Sequence, residues 1–310
     1  MAKTWLLPAK GEERSVCITD VRAVPGDSAF LIDDGKTAVL YDTGFGFTAS
    51  AVEQNIRAVL GDRPLDYILL THSHYDHVLG VPYLLECYPT VKVVAGTYAA
   101  QVFARASAKA AMCRLNEKSA RQLDIPADDP MEDRLRVDIP VSDGDSLLCG
   151  SMVFTVVALP GHTKCSVGYY LARQKLLLST ETLGVYFGKD TYLPSFLVGY
   201  RLTLEAFQKV RMLAVDRLLL PHYGLVEQER AQIFLQRAEL AARQTAQIIM
   251  DLYGRGKTKQ EIFAFLEEKD YGDHVRPVYP PEAYRVNTKL MIDLVITELS
   301  AMEQRRDCGL

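Results

Sequence analysis

The ten residues Thr71-His72-Ser73-His74-Tyr75-Asp76-His77-Val78-Leu79-Gly80 constrain this chain more than any other stretch, because they gather three of its six histidines beside a carboxylate. The stretch reads as a metal-binding loop, the alternative being a solvated polar loop that merely happens to contain histidines. The flanks say where the cluster sits. Tyr67-Ile68-Leu69-Leu70-Thr71 is an apolar run of strand length, and Leu79 to Leu85 has the glycine, proline and leucine pattern of a helix entry. The spacing therefore predicts a loop between the carboxyl end of a buried strand and a helix, where open α/β sheets gather their ligands. In an extended loop His72 and His74 point the same way and can share one metal, while Asp76 and His77 project elsewhere and can serve a second.

Three further residues of ligand type follow apolar runs in the same manner. His162 stands in Pro160-Gly161-His162-Thr163 after Met152 to Leu159. Glu181 stands in Leu178-Ser179-Thr180-Glu181-Thr182, and His222 in Pro221-His222-Tyr223-Gly224 after Arg217 to Leu220. Residues that each lie just past a strand end can converge on one rim.

The pattern His-x-His-x-Asp-His after a hydrophobic strand resembles the signature of the metallo-β-lactamase superfamily, and the downstream histidine motifs extend that resemblance over roughly residues 15 to 225. It implies an α+β fold, a four-layer αββα sandwich with a two-metal site at the rim of its two sheets. It also implies a ligand set: His72, His74 and His162 for one metal, Asp76, His77 and His222 for the other, and Glu181 as the bridge. Glu181 departs from the family, which usually has an aspartate there. Asp42, in Asp42-Thr43-Gly44, would orient a ligating histidine from behind the metals, as metal sites commonly require. The same residues also read as an ordinary strand-to-helix turn with a cap at Thr48 or Ser50.

Paired metals acidify a shared water and stabilise an oxyanion, so the resemblance implies a binuclear hydrolase in which Asp76 both ligates and accepts the water's proton. Tyr223 is either an extra donor to the oxyanion or a packing residue. The mixed nitrogen and oxygen donors admit two divalent ions of zinc, iron or manganese. The expected reaction is hydrolysis of a carboxylic ester or thioester of a small molecule with an apolar acyl group. A phosphodiesterase with the same site is one alternative, and a metal-stabilised regulatory protein with weak hydrolase activity is another. β-Lactam hydrolysis is disfavoured, because that branch looks secreted and often carries a cysteine near the position of Glu181. A flavodiiron-type oxygen reductase is disfavoured too, since His74 stands where that branch tends to have glutamate.

Along the rest of the chain, residues 15–19, 29–32 and 37–41 read as an antiparallel meander, turned by Asp33-Asp34-Gly35-Lys36. Residues 50–60 have helical periodicity, broken at Gly61 to Pro64. An alanine-rich, basic helical insertion spans about 97–123. Its Arg105, Lys109, Arg114, Lys118 and Arg121 form either a solvated face or a grip for an anionic substrate such as a coenzyme A ester. Residues 124–135 read as a surface loop, and 167–171 with 175–179 as a hairpin. Tyr186, Phe187, Tyr192 and Phe196 are candidate walls of an apolar pocket or members of the core.

The expected domains are a catalytic domain over 1–225 and a helical extension over 226–310 that packs on it, with helices over 227–253, 258–267 (capped by Thr258) and 281–303. Extension and insertion together give an architecture similar to the thioesterase-like branch of the superfamily that holds the quinolone signal response protein. The extension can alternatively make a homodimer contact. His274 fits no ligand position and is expected at the surface. A net charge of −4 argues against nucleic acid or an anionic membrane as partner. The amino-terminal residues lack the apolar run of a signal peptide, and no segment reaches bilayer length, so the expected location is cytoplasmic. Six dispersed cysteines, Cys308 among them, give no zinc-ribbon or disulfide spacing, and Cys165 is either close to the metals or simply packed.

Overall fold

The computed structural model describes residues 3–8, 15–127 and 131–307, with side chains through Ala301. Cys308 and the middle of the expected 124–135 loop therefore lie outside the described residues. Two compact units alternate along the chain. One comprises Met1–Ala158, Cys165–Thr180 and Ala214–Gln228, the other Leu159–Lys164, Glu181–Leu213 and Glu229–Leu310.

The first unit is built on two sheets. Strands β1 (Thr4–Leu7), β2 (Val16–Asp20), β3 (Phe30–Asp33), β4 (Ala38–Tyr41), β5 (Tyr67–Leu69), β6 (Lys92–Gly96) and β7 (Ile139–Val141) lie in sequence order. They run antiparallel from β1 to β4 and parallel from β4 to β7. The second sheet holds β8 (Ser146–Cys149), β9 (Met152–Ala158), β10 (Val167–Leu171) and β11 (Leu176–Leu178). After the short β12 (Val185–Tyr186) and β13 (Tyr192–Leu193), which pair in the other unit, β14 (Arg217–Leu220) and β15 (Gly224–Glu227) complete it. Its order is β15-β14-β11-β10-β9-β8, antiparallel except between β11 and β14.

Both faces of the first sheet are buried, and the period of two in the sequence sorts residues between them. Phe30, Ile32, Val39 and Tyr41 join Phe154, Val156, Tyr169, Leu178 and Leu219 in the core between the sheets. Leu31, Ala38 and Leu40 face the other way, onto α1 (Ala49–Leu60), α3 (Val81–Cys87), α4 (Thr97–Phe103) and α5 (Ala106–Gln122). The four-residue α2 (Tyr75–Val78) lies in the histidine loop. Helix α1 buries Ala49, Val52, Ile56 and Leu60, a stripe at helical spacing, and ends at Gly61 with φ 62°. Each fully buried Leu, Ile or Phe in these cores contributes about 1.5–3 kcal/mol. The expected meander, its turn at Asp33 to Lys36 and the 167–179 hairpin are all present. Strands β1 and β15 were not expected. Gly224 has φ 114°, and a Cβ there would lie 3.1 Å from the Trp5 ring, so the glycine that reads as loop in sequence instead lets β1 and β15 approach.

The second unit is helical. Helix α6 (Tyr200–Arg211) is followed by α7 (Glu229–Gly254), α8 (Lys259–Asp270) and α9 (Pro281–Asp307). Phe196, Ala242, Ala246, Ile249, Ile262, Leu266, Ile292 and Val295 form their common core. Thr258 caps α8 in a full capping box with Glu261. Among the described residues no helix is long and apolar enough to cross a membrane. His274 is half-buried rather than exposed, because its Nε2 meets the Thr191 hydroxyl at 2.6 Å.

Candidate metal centre

In the first unit, β5 ends at Leu69 and delivers His72 and His74, and the single turn of α2 then carries Asp76 and His77. The His72 ring centroid lies 4.6 Å from that of His74 and 4.1 Å from that of His77. The loop after β14 adds His222, whose ring centroid is 4.8 Å from His77. One ligand atom each from Asp76, His77 and His222 lie within 4.8 Å of one another. Asp76 Oδ2 is 3.8 Å from His77 Nε2 and 4.0 Å from His222 Nε2. A divalent ion held by all three would draw these atoms somewhat closer, since two bonds of about 2 Å at a tetrahedral angle span about 3.3 Å.

The hydrogen bonds behind the rings fix which nitrogen is available. His77 Nδ1 is 2.7 Å from Asp42 Oδ2, and both residues are fully buried. A carboxylate only accepts, so the proton sits on Nδ1 and the lone pair on Nε2. His222 Nδ1 donates to the Gly26 carbonyl at 2.8 Å, with the same consequence. The Thr71 hydroxyl links His72 to the same anchor, lying 2.9 Å from His72 Nδ1 and 3.1 Å from both Asp42 oxygens. Asp42 also accepts from Thr71 N and from the Ser28 hydroxyl, each at 2.9 Å. The backbone of Asp42 is left-handed, with φ 54°. Thr48, by contrast, makes no side-chain cap on α1, because its hydroxyl donates to Asp27 and to the Phe45 carbonyl.

In the second unit His162 and Glu181 are partners. His162 Nδ1 donates to the Ser195 carbonyl at 2.8 Å, which leaves its Nε2 lone pair 2.7 Å from Glu181 Oε2. At that separation the pair is held either by a shared proton or by a shared cation. Gly161 makes the local path possible: with φ 149° its Cα faces Thr203 and Thr182, and the Thr182 hydroxyl in turn accepts from His162 N at 3.1 Å. The donor chemistry in both units thus suits a divalent metal.

The remaining expected site residues are placed as follows. Tyr223 is 38% exposed, and its carbonyl accepts from Arg22 at 3.4 Å. Tyr186 stacks on Tyr192 at 4.9 Å, and Phe234 packs on both. Phe187 stacks on Tyr279, and Phe196 lies fully within the helical core. Cys165 is buried with Sγ 3.3 Å from the Ser73 hydroxyl. On the basic insertion, Lys109 pairs with Asp133 at 3.0 Å and Arg121 with Glu117 at 3.5 Å.

Sequence reasoning overlooked Asp27, which has no surface exposure and accepts from Ala23 N, Phe45 N and Thr48 Oγ1 at 3.0–3.1 Å. Burial pushes its carboxyl from 3.8 up to about 6, and the hydrogen bonds of Phe45, Ala23, Thr48 and Val24 only partly oppose the shift. The folded state then holds a proton that the unfolded state has lost between those two values, so stability falls as pH rises through the window. Relative to Asp27→Asn, wild type is expected to lose about 3 kcal/mol between about pH 4 and pH 6.5, with no further change above it. Denaturant titrations across that range read the difference, and parallel curves for the two proteins would refute the assignment.

A hydroxyacylglutathione hydrolase of Legionella pneumophila (strain Paris) is 29% identical over 117 residues, covering 37% of this chain and 33% of that protein. Another, from Bdellovibrio bacteriovorus, is 30% identical over 193 residues, covering 61% of this chain and 60% of its own length. The chain thus spans about a third of the first of these relatives. A metallo-beta-lactamase family protein of Thermus thermophilus superposes with a TM-score of 0.59 at 18% identity, covering 96% of this chain and 94% of that one. That likeness shows the fold, an α+β sandwich with a helical insertion and a helical extension. Because the superfamily's model also matches residues 24–222, a stretch that begins before Asp42 and closes on His222, the chain belongs to the metallo-β-lactamase superfamily.

Proposed function

We propose that the chain is a binuclear metal-dependent hydrolase of carboxylic esters or thioesters. The convergence of Asp76, His77 and His222, with both imidazole protons committed to Asp42 and Gly26, is the observation that carries the reading. The superfamily pattern supports His72, His74, His162 and Glu181 as ligands of the other ion. Two divalent ions, zinc, iron or manganese, would supply a water acidified toward neutrality and a positive charge for the developing oxyanion.

The chain's own groups do the rest. Asp76 accepts the proton that the attacking water gives up, and Asp42 and Gly26 keep the imidazoles in the ligating tautomer. Tyr223 offers its phenol to the oxygen that becomes negative. The relatives named for a hydroxyacyl group on glutathione support an acyl bond over a phosphodiester.

The test compares kcat/KM on a short acyl thioester and on an activated phosphodiester, using protein of known metal content and a His74→Ala control. The thioester is expected to be cleaved at least about 100-fold faster, with kcat of the control lower by on the order of 10³. Preference for the phosphodiester would replace this reading with its rival. No cleavage by fully metal-loaded protein would leave a regulatory protein.

A further inference from the structure

The segment Arg22–Ser28 joins β2 to β3 and belongs to none of the ligand motifs, yet it touches the Asp76, His77 and His222 group from behind at several points. The Gly26 carbonyl accepts from His222 Nδ1 at 2.8 Å. The Ser28 hydroxyl donates at 2.9 Å to Asp42 Oδ2, the oxygen that also receives His77 Nδ1. Arg22 donates through Nη1 to the His222 carbonyl and through Nη2 to the Tyr223 carbonyl. These contacts matter because His222 and Asp42 both have left-handed backbones, φ 63° and 54°. Non-glycine residues adopt that conformation uncommonly, Asp and His more readily than most, and neighbouring hydrogen bonds help to hold it.

The segment is itself fastened by Asp27. One carboxylate oxygen accepts from Ala23 N within the segment, and the other accepts from Phe45 N and Thr48 Oγ1, in the loop that begins at Asp42. Gly44 lies against the same carboxylate: a Cβ there would be 2.3 Å from Asp27 Oδ1. From the outer side, Asn55 Nδ2 on α1 donates to the Val21 and Arg22 carbonyls at 3.1 and 3.3 Å. Asp27 thus ties together the two backbone segments that supply the Nδ1 partners of His77 and His222.

We propose that Asp27 is a positioning residue, the peg of a brace formed by Arg22–Ser28 that sets the orientation of His77 and His222 toward a divalent cation. The inference rests on reading Asp76, His77 and His222 as a metal site. Its predicted effect is on the affinity and ligand geometry of that one ion.

Competition titration with a chromophoric chelator, using cobalt(II) on the full chain, tests it, with the cobalt absorption spectrum as a second readout. Asp27→Ala is expected to weaken one ion by about 10- to 100-fold and to alter its visible spectrum, leaving the other ion within about 3-fold. Asp27→Asn keeps an acceptor for Phe45 and Thr48 and should recover most of the affinity. Ser28→Ala removes a single bond to Asp42 and should fall between them, and it carries the test if Asp27→Ala does not fold. Thr258→Ala, which breaks the α8 capping box, is the control for general destabilisation and should bind both ions as wild type does. Wild-type affinity in Asp27→Ala, or an equal loss in Thr258→Ala, overturns the brace alone. A wild-type chain that binds no cobalt overturns the metal reading together with the brace.

Discussion

Asp42→Ala is expected to lower the unfolding free energy by about 3–6 kcal/mol and to strip metal from the His77 side of the site. Asp42 has no surface exposure and accepts hydrogen bonds from Thr71 N, Thr71 Oγ1, Ser28 Oγ and His77 Nδ1. Alanine leaves those donors buried without acceptors, at about 1–3 kcal/mol each and less than additively. Against the roughly 5–15 kcal/mol that holds most domains together, that loss is large. Asp42→Asn separates the two effects. Its carbonyl oxygen still accepts from Thr71 N, so the fold is retained, but its amide must donate to His77 Nδ1. The imidazole proton then moves to Nε2 and the ligating lone pair is lost. A folded Asp42→Asn protein with wild-type metal content would refute this account. Denaturant midpoints and metal analysis on the three proteins decide it.

The second large effect is expected at Gly161. A Cβ there would lie 2.2 Å from Thr203 Oγ1, 2.7 Å from Thr182 Cγ2 and 3.1 Å from the Thr203 backbone, at φ 149°. Strain and overpacking each cost about 1–3 kcal/mol. Thr182 cannot retreat without consequence, since its hydroxyl donates to the Leu159 carbonyl at 2.6 Å and accepts from His162 N. The Gly161 carbonyl also receives Leu197 N and Val198 N, both at 2.9 Å, so the backbone is held on that side. Gly161→Ala should therefore destabilise by about 2–5 kcal/mol and displace His162 from Glu181, with a fall in kcat/KM of at least about 100-fold. A variant with wild-type turnover would show that the position of His162 does not matter to the reaction.

Much of the fold is written locally. The apolar runs of β3 and β4, the stripe on α1, the hairpin at 167–179 and the capped start of α8 follow from side-chain pattern and from Gly, Asp and Thr at turns and caps. The histidine loop is legible because its ligands crowd into six residues. What the sequence could not show is action at a distance. Asp27 sits in Pro-Gly-Asp, which reads as a plain turn, and its value lies in bonds to Phe45 and Thr48. Arg22 and His222 are 200 residues apart, and nothing in either neighbourhood announces the pair. Strand β15 was hidden for a related reason: four residues opened by a glycine carry little strand signal, and only pairing with β14 defines it. His274 lies outside the ligand groups as expected, and its bond to Thr191, 83 positions away, could not be read locally.

The alternation of the two units along the chain has a consequence for biogenesis. The first unit is not complete until Gln228, because β14, β15 and His222 are its last pieces. A ribosome releases the histidine loop long before the strand that pairs with β11 exists, so the nascent chain carries four ligand-type side chains with no closed site. The Asp76, His77 and His222 group therefore closes only once the chain past residue 222 has been made.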